Sequence, residues 1–188
     1  FEKAQAEGLI AYISKETVGA FIQAVSKETL CEAGMKKDIT IVYTPLNGAG
    51  GYCVRRALEE NGFQNVFVVK EQEMPDGCFP TCPYPNPEIR EAMSLGMEYA
   101  SRCGAELLLA TDPDCDRVGI AVKDAGGEMI LLSGNETGIL LLDFICSQRL
   151  KHHAMPDNPV MVKTIVTIDM AERIAKKYGV RTINVLTG

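Results

Sequence analysis

Apolar residues along the chain occur in short continuous runs that alternate with longer amphipathic stretches. Continuous rather than alternating apolar runs are typical of parallel strands that are buried on both faces. The amphipathic stretches repeat their apolar residues at helical spacing, as Val18, Ile22 and Val25 do after Ser14, which is a suitable N-cap residue. The pattern therefore predicts an α/β fold in which helices connect the strands of a parallel sheet.

The predicted elements form one complete α/β series and the start of a second one. In chain order they are helix 15–32, strand 39–43, helix 52–61, strand 66–69, an irregular proline-rich segment 71–87, helix 88–102, strand 106–110, hairpin strands 118–122 and 129–132, helix 136–150, strand 160–165, helix 169–178 and strand 182–186. We therefore predict two three-layer α/β/α units with mostly parallel sheets, in residues 1–127 and 128–188, the second one truncated. Neither end of the sequence resembles a natural terminus, so we interpret the chain as a fragment of a longer protein.

Composition and charge exclude several classes of function. The net charge is −6 and no basic patch is present, so nucleic acid is not an expected partner. No apolar run is long enough to span a membrane, and no signal peptide is recognisable. The seven cysteines are odd in number and scattered, which favours reduced thiols in the cytoplasm. Cys78 and Cys82 form one close pair, but no second pair completes a zinc site.

The segment with the clearest chemistry follows the predicted strand 106–110 and reads TDPDCDR, from Thr111 to Arg117. Its aspartates, Asp112, Asp114 and Asp116, stand at alternate positions of a loop and can converge on one point. Three converging carboxylates repel one another unless a cation lies between them, and oxygen ligands favour Mg²⁺ or Ca²⁺. An EF-hand is excluded because Arg117 and Lys123 occupy the positions that require Gly and Glu. A solvated acidic turn is the alternative.

The same loop, TDPDCDRVGIAV, resembles the DxDxDR metal loop of the α-D-phosphohexomutase superfamily. Further segments are similar to motifs of that family in the same order: YTPLNGAG at 43–50, DGCFPTCPYPNPE at 76–88, LSGNETGILLLDFI at 132–145, VKTIVT at 162–167 and VLTG at 185–188. The resemblance covers nearly the whole chain. Within the superfamily, the sequences of these motifs most resemble the phosphoglucomutase branch that includes phosphopentomutases.

The resemblance implies a four-domain enzyme of which this chain is domain II and the first part of domain III. Such enzymes interconvert hexose 1-phosphate and hexose 6-phosphate through a phosphoserine and a sugar bisphosphate, so sugar mono- and bisphosphates are the implied substrates. Phosphoglucomutase activity is expected, with phosphomannomutase and phosphopentomutase as alternatives. The phosphoserine lies in a TASHNP-like motif of domain I, which no serine here matches. The chain alone, without domains I and IV, is therefore expected to be inactive.

The resemblance also assigns roles to individual residues. Asp112, Asp114 and Asp116 would bind Mg²⁺ with a phosphoserine oxygen, Arg117 would face the substrate, Lys163 would assist proton transfer in the cleft, and Thr187 and Gly188 would begin a sugar-binding loop. Two positions depart from the family pattern. Asn47 stands where His is common, and Cys115 stands where a smaller residue such as Ala or Gly is common.

Two other classes of function are weaker alternatives. Gly48, Gly50 and Gly51 lie between a strand and a helix, with Glu71 about twenty residues later, as in an NAD-binding oxidoreductase. The GxGxxG pattern is broken, however, because Cys53 stands at its last glycine position. The chain could also be a non-catalytic binding module stabilised by metal. Without the family resemblance, Lys163 would be interpreted as a solvated lysine.

Overall fold

Helices and strands alternate along the chain in the computed structural model, which describes residues 1–32 and 34–187. The elements are α1 Glu2–Ala6, α2 Lys15–Lys27, β1 Ile41–Thr44, α3 Gly51–Glu60, β2 Val66–Val68, a 3₁₀ turn Lys70–Gln72, α4 Arg90–Cys103, β3 Leu107–Thr111, β4 Val118–Lys123, β5 Met129–Leu132, α5 Gly134–Lys151, β6 Val160–Thr164, α6 Met170–Lys177 and β7 Arg181–Val185. The predicted α/β class is confirmed. Most predicted ends differ by one or two residues, but α2 ends at Lys27 rather than at residue 32.

The first sheet has five strands in the order β2-β1-β3-β4-β5. Strand β1 pairs in parallel with β2 and with β3, whereas β4 and β5 form the predicted antiparallel hairpin at the sheet edge. Strand β5 therefore belongs to the first sheet, although it was expected to open the second unit. The first sheet thus includes a strand that lies after the predicted boundary between residues 127 and 128. The boundary between the two units remains a prediction.

The main core lies between the centre of this sheet and α4. All four residues of β1 are buried, because the strand lies between two neighbours and helices cover the sheet. Val42 and Leu108 from the strands pack with Met93 of α4 in one apolar cluster. The continuous apolar run of β1, which predicted a parallel strand buried on both faces, thus has that position in the fold.

A second, two-stranded sheet consists of the parallel strands β6 and β7. Helix α6 packs on β7 and on α5, around a small core that contains Cys146, Ala175 and Val180. Lys163 is the buried residue of β6. The described part of the chain contains no helix that could cross a membrane. All seven cysteines fall within the described residues and carry free thiols.

Candidate metal centre

The acidic loop begins directly after β3, at the carboxyl end of a strand in the middle of the first sheet. Asp112, Asp114 and Asp116 each place one carboxylate oxygen within 4.8 Å of the other two. The structure therefore brings together the three side chains that the sequence singled out. An arrangement splayed outward would have removed the basis for a metal site.

Backbone hydrogen bonds give the loop its curl. The Cys115 N–H donates to the carbonyl oxygen of Asp112 at 3.0 Å, and Cys115 has a left-handed φ of 64°. The Arg117 N–H donates to Oδ1 of Asp112 at 2.9 Å. Asp112 is only 5% exposed, whereas Asp114 and Asp116 are exposed to solvent. One aspartate is thus fixed by the fold, and the other two reach the same point from the surface.

Hydrogen bonds and mutual repulsion within the loop shift the pKa values of Asp112 and Asp116 in opposite directions. Burial acts to raise the pKa of Asp112, but the hydrogen bond from the Arg117 amide and those with the other two aspartates outweigh it, so this pKa is lowered. A hydrogen bond with Asp112 and the negative charges of Asp114 and Asp112 raise the pKa of Asp116. A cation at the point of convergence would relieve this repulsion, because it interacts favourably with all three ionised groups.

Arg117 lies beside the cluster. Its Nε atom is 3.9 Å from Oδ2 of Asp112 and 3.9 Å from Oδ1 of Asp116, and 57% of its side chain is exposed. An exposed guanidinium in this position can partly offset the local negative charge. Its planar set of N–H groups can also bind an anion such as a phosphate.

The glycine-rich turn after β1 packs directly against the acidic loop. The Ala49 N–H donates to the carbonyl oxygen of Pro113 at 2.8 Å. A Cβ atom on Gly48 would lie 2.3 Å from Cα of Pro113, and one on Gly50 would lie 2.7 Å from Oγ1 of Thr111. Glycine is therefore required here because the turn and the loop are in direct contact.

Tyr43 connects the two segments below the surface. It is fully buried, and its hydroxyl forms a 2.9 Å hydrogen bond with Oγ1 of Thr111. Burial raises the pKa of Tyr43 to about 12. The apolar run that predicted β1 gave no sign of this polar contact. The contact follows only from the pairing of β1 with β3, which places their carboxyl ends side by side.

A second set of polar contacts links the same turn to the irregular proline-rich segment. The Thr44 hydroxyl donates to Oε1 of Gln72 at 2.7 Å, and Nε2 of Gln72 donates to Oγ1 of Thr81 at 3.0 Å. Gln72 is fully buried. Sequence reasoning missed these residues, because a buried glutamine in an irregular segment has no periodic signal.

The glycine-rich turn and Glu71, which suggested an NAD site, make contacts within the protein itself. Gly48 and Ala49 pack on the acidic loop, and the carboxylate of Glu71 accepts a 2.6 Å hydrogen bond from the hydroxyl of Tyr99. A cavity of about 700 Å³ opens beside the turn and includes Tyr52 and Met74 in its lining. The described residues that line this cavity do not include the three aspartates of the acidic loop.

Lys163 lies in the second sheet and is not a solvated lysine, because its side chain is only 4% exposed. Its Nζ atom donates to the carbonyl oxygen of Thr167 at 3.1 Å and lies 3.4 Å from carboxylate oxygens of both Asp169 and Glu172. These partners belong to the same unit as Lys163 and not to the acidic loop. Thr187 is exposed beyond β7, and Gly188 lies outside the described residues.

Fold and site together define an α/β protein with a carboxylate cluster suited to a hard divalent cation. Residues 19–127 match the family model described as "Phosphoglucomutase/phosphomannomutase, alpha/beta/alpha domain II". The chain therefore belongs to the phosphoglucomutase/phosphomannomutase family, as its resemblance to the phosphohexomutases predicted.

Individual relatives agree with this assignment. The chain is 35% identical over 181 residues to a phosphoglucomutase of Staphylococcus saprophyticus, a match that covers 96% of this chain and 32% of the relative. A phosphoglucomutase/phosphomannomutase family protein of Burkholderia thailandensis has a similar fold, with a TM-score of 0.67, 17% identity and coverage of 89% of this chain and 33% of that one.

A second similar structure contains ligands. N-acetylphosphoglucosamine mutase of Aspergillus fumigatus, in complex with GlcNAc-6P and magnesium, has a TM-score of 0.57 and 19% identity, covering 88% of this chain and 33% of that one. At such identities, the two solved structures establish the fold alone. The chain spans about a third of the length of these relatives.

Proposed function

We propose that this chain is the metal-binding part of a phosphosugar mutase that interconverts hexose 1-phosphate and hexose 6-phosphate. Membership of the phosphoglucomutase/phosphomannomutase family supports the class of reaction. The relative named phosphoglucomutase favours glucose as the sugar, with phosphomannomutase and phosphopentomutase activities as alternatives. The observation that carries the proposal is the convergence of three carboxylate oxygens within 4.8 Å at the end of β3.

The three aspartates fit Mg²⁺. They offer hard oxygen ligands, and three protein ligands leave positions of an octahedral ion open for water or a phosphate oxygen. The hydrogen bond from the Arg117 N–H to Oδ1 of Asp112 fixes the direction in which this carboxylate would meet a cation. The bound ion would neutralise charge on the transferring phosphoryl group. The magnesium complex of the Aspergillus mutase, a protein of similar fold, is consistent with this choice.

The other predicted site residues receive supporting roles. Arg117 would bind a phosphate or sugar oxygen from the rim of the metal centre, since its guanidinium is exposed and held near the aspartates. Lys163 would move a proton in the cleft, although Asp169 and Glu172 hold its ammonium group within its own unit. Thr187 and Gly188 would begin the loop that contacts the sugar.

The remaining parts of the reaction would come from the rest of the parent protein. The phosphoserine of domain I would donate its phosphoryl group to the sugar monophosphate, which becomes a bisphosphate. The bisphosphate would then return its other phosphoryl group to the same serine. Because the chain has no matching serine, it would be inactive alone, with the acidic loop as its contribution to the shared site.

The test is an assay of the full-length protein that contains this chain. Conversion of glucose 1-phosphate, with catalytic glucose 1,6-bisphosphate and Mg²⁺, would be coupled to oxidation of glucose 6-phosphate. Asp114→Asn should lower turnover about a hundredfold or more, because the ligand charge is lost without a change in side-chain shape. Asp157→Asn, an exposed aspartate in a different loop, is the matched control and should retain full activity.

Two results would contradict the proposal. Near-normal turnover of Asp114→Asn would remove the metal role of the loop. Absence of activity with glucose, mannose and pentose phosphates alike, in a protein that still binds the cation, would leave a metal-stabilised binding module instead. Comparison of the three sugars in the same assay would identify the substrate class.

A further inference from the structure

We propose that Asn47 is a positioning residue, which holds the acidic loop in its cation-binding shape through the glycine-rich turn. The inference rests on the proposed function for the role of the loop, but its structural basis is independent of any bound ion. Asn47 lies at the carboxyl end of β1, beside the end of β3 from which the aspartates extend. It is 5% exposed and does not contact the aspartates through any of its recorded hydrogen bonds.

Every polar group of Asn47 except one is bonded to the irregular segment that follows β2. Its backbone N–H donates to the carbonyl oxygen of Gln72 at 2.9 Å, and its carbonyl oxygen accepts from the Asp76 N–H at 3.0 Å. Its side-chain Nδ2 donates to the carbonyl oxygens of Met74 at 2.9 Å and Glu71 at 3.3 Å. Four hydrogen bonds therefore fix both the backbone and the side chain of this one residue.

The orientation of the side-chain amide is determined by these contacts. If the amide were flipped, its oxygen would face two carbonyl oxygens, so the NH₂ group must be the one that faces Met74 and Glu71. In the described structure, Oδ1 is buried without a hydrogen-bond partner. The NH₂ group alone therefore holds the side chain. An isosteric aspartate cannot replace it, because its second oxygen would be repelled by the same carbonyls.

The next two residues transmit the position of Asn47 to the acidic loop. Gly48 approaches Pro113 so closely that a Cβ atom would lie 2.3 Å from its Cα. The Ala49 N–H donates to the Pro113 carbonyl oxygen at 2.8 Å. Pro113 lies between two of the three aspartates. Because the contact has no spare room, a displaced turn moves the peptide that sets the distance between Asp112 and Asp114.

Two substitutions separate the contributions of backbone and side chain. Asn47 has a φ of 58°, a left-handed conformation that alanine adopts only with strain. Asn47→Gly accepts this conformation and removes the side chain with its hydrogen bonds, although it also makes the backbone more flexible, so it is the primary variant and Asn47→Asp is the check on it. Asn47→Asp keeps the shape and should have the larger effect, because it replaces two attractive contacts by repulsive ones.

The experiment measures cation affinity in the full-length protein with Mn²⁺ alone as the probe, followed by the electron paramagnetic resonance signal of free Mn²⁺. Asn47→Gly should weaken Mn²⁺ binding about tenfold, the scale typical of residues that orient metal ligands. Met93→Ala is the matched control, because it removes a buried side chain from the main core at a position in α4, outside the turn itself. It should leave Mn²⁺ affinity unchanged. Equal affinities of Asn47→Gly and the parent protein, or equal losses in both variants, would overturn the proposal.

A second readout needs no metal and keeps this inference separable from the proposed function. In cation-free protein, hydrogen exchange of the peptide that contains Cys115 and Arg117 should be faster in Asn47→Gly than in Met93→Ala, because both amides donate to Asp112. Unchanged exchange would overturn the positioning role even if the enzyme is a mutase. If Asp114→Asn binds Mn²⁺ as tightly as the parent protein, the metal assignment fails instead.

Discussion

At the scale of single residues, the three aspartates of the acidic loop are not equivalent. Asp112 is buried and bonded to the Arg117 amide, whereas Asp114 and Asp116 remain exposed on the outer part of the loop. A buried ligand has a fixed direction, and two exposed ligands can adjust their rotamers around an incoming ion. If the proposed cation binds here, the cluster would combine one rigid ligand with two adaptable ones, which suits an ion that must also accept oxygens from water or phosphate.

Tyr43 provides a prediction at this scale. Tyr43→Phe should lower the free energy of unfolding by about 1 kcal/mol at neutral pH, because the Thr111 hydroxyl loses its buried partner. The folded state raises the pKa of Tyr43 from 10.0 to about 12 by burial, so it binds the phenolic proton more tightly than the unfolded state does. Stability that depends on this proton is complete below pH 10 and is lost as the pH rises towards 12.

The measurement is urea unfolding of Tyr43→Phe and of the parent chain at pH 7, 9, 10 and 11. The difference between the two proteins should shrink above pH 10, the ordinary pKa of tyrosine, because the parent alone loses stability through this residue. Tyr84→Phe, which alters an exposed tyrosine, is the control and should leave the difference near zero throughout. A difference that stays constant up to pH 11 would contradict the buried, protonated state of Tyr43.

At the scale of elements, α5 shows how local sequence fixes a helix start. Ser133 accepts a hydrogen bond from the Glu136 N–H through its hydroxyl oxygen at 3.2 Å, and Oε2 of Glu136 accepts from the Ser133 N–H at 2.8 Å. This reciprocal capping box satisfies two N–H groups that have no partner inside the helix. The hydrogen bond from the Ser133 amide also lowers the pKa of Glu136.

Two substitutions in α5 should change stability in opposite directions. Ser133→Ala removes the cap and should cost about 1 kcal/mol. Gly138→Ala should stabilise the chain by roughly 0.5–1 kcal/mol, because glycine is a poor helix former. Position 138 is exposed, and a Cβ atom there would meet no neighbour within 4 Å. Urea unfolding monitored by circular dichroism measures both effects.

The pH dependence of the Ser133→Ala effect checks the same explanation. Because the pKa of Glu136 is lowered in the folded state, the capping contribution is present above the ordinary glutamate pKa and is lost as the pH falls through the folded value. Ser133→Ala keeps the backbone N–H and removes the hydrogen bond from the Ser133 hydroxyl to Glu136, so only that part of its deficit should be lost in acid. A neutral Ser133→Ala, or a destabilising Gly138→Ala, would show that α5 is held by tertiary packing alone.

The elements could be predicted from the sequence because strands and helices have different apolar periods. Contacts that join distant segments could not. Helix α2 ends at Lys27, and just beyond it the Thr29 hydroxyl donates to Asn61, a partner far along the chain. The acidic loop could be identified from its aspartates alone, whereas its support by Gly48 and Ala49 depends on the pairing of β1 with β3. Periodicity carries no information about such pairs.

At the scale of the whole molecule, the two sheets differ in how much they bury. All four residues of β1 are buried, and the cluster around it includes side chains from three other strands and from α4. In β6, only Lys163 is buried, and all the residues of β7 are at least partly exposed. The core beneath this second sheet is also much smaller. Free energy of burial is therefore concentrated in the part of the chain that carries the acidic loop.

This difference predicts that the second sheet opens locally while the first one remains folded. Native-state hydrogen exchange of the chain should show at least tenfold less protection for amides that pair β6 with β7 than for those that pair β1 with β3, a difference of about 1.4 kcal/mol. As the urea concentration rises, the protection of the two groups of amides should become equal only near global unfolding. Equal protection would mean that α5 and α6 couple the sheets into one cooperative unit, in which case the ion pairs of Arg149 with Glu28 and of Lys151 with Glu32 become the contacts to remove next.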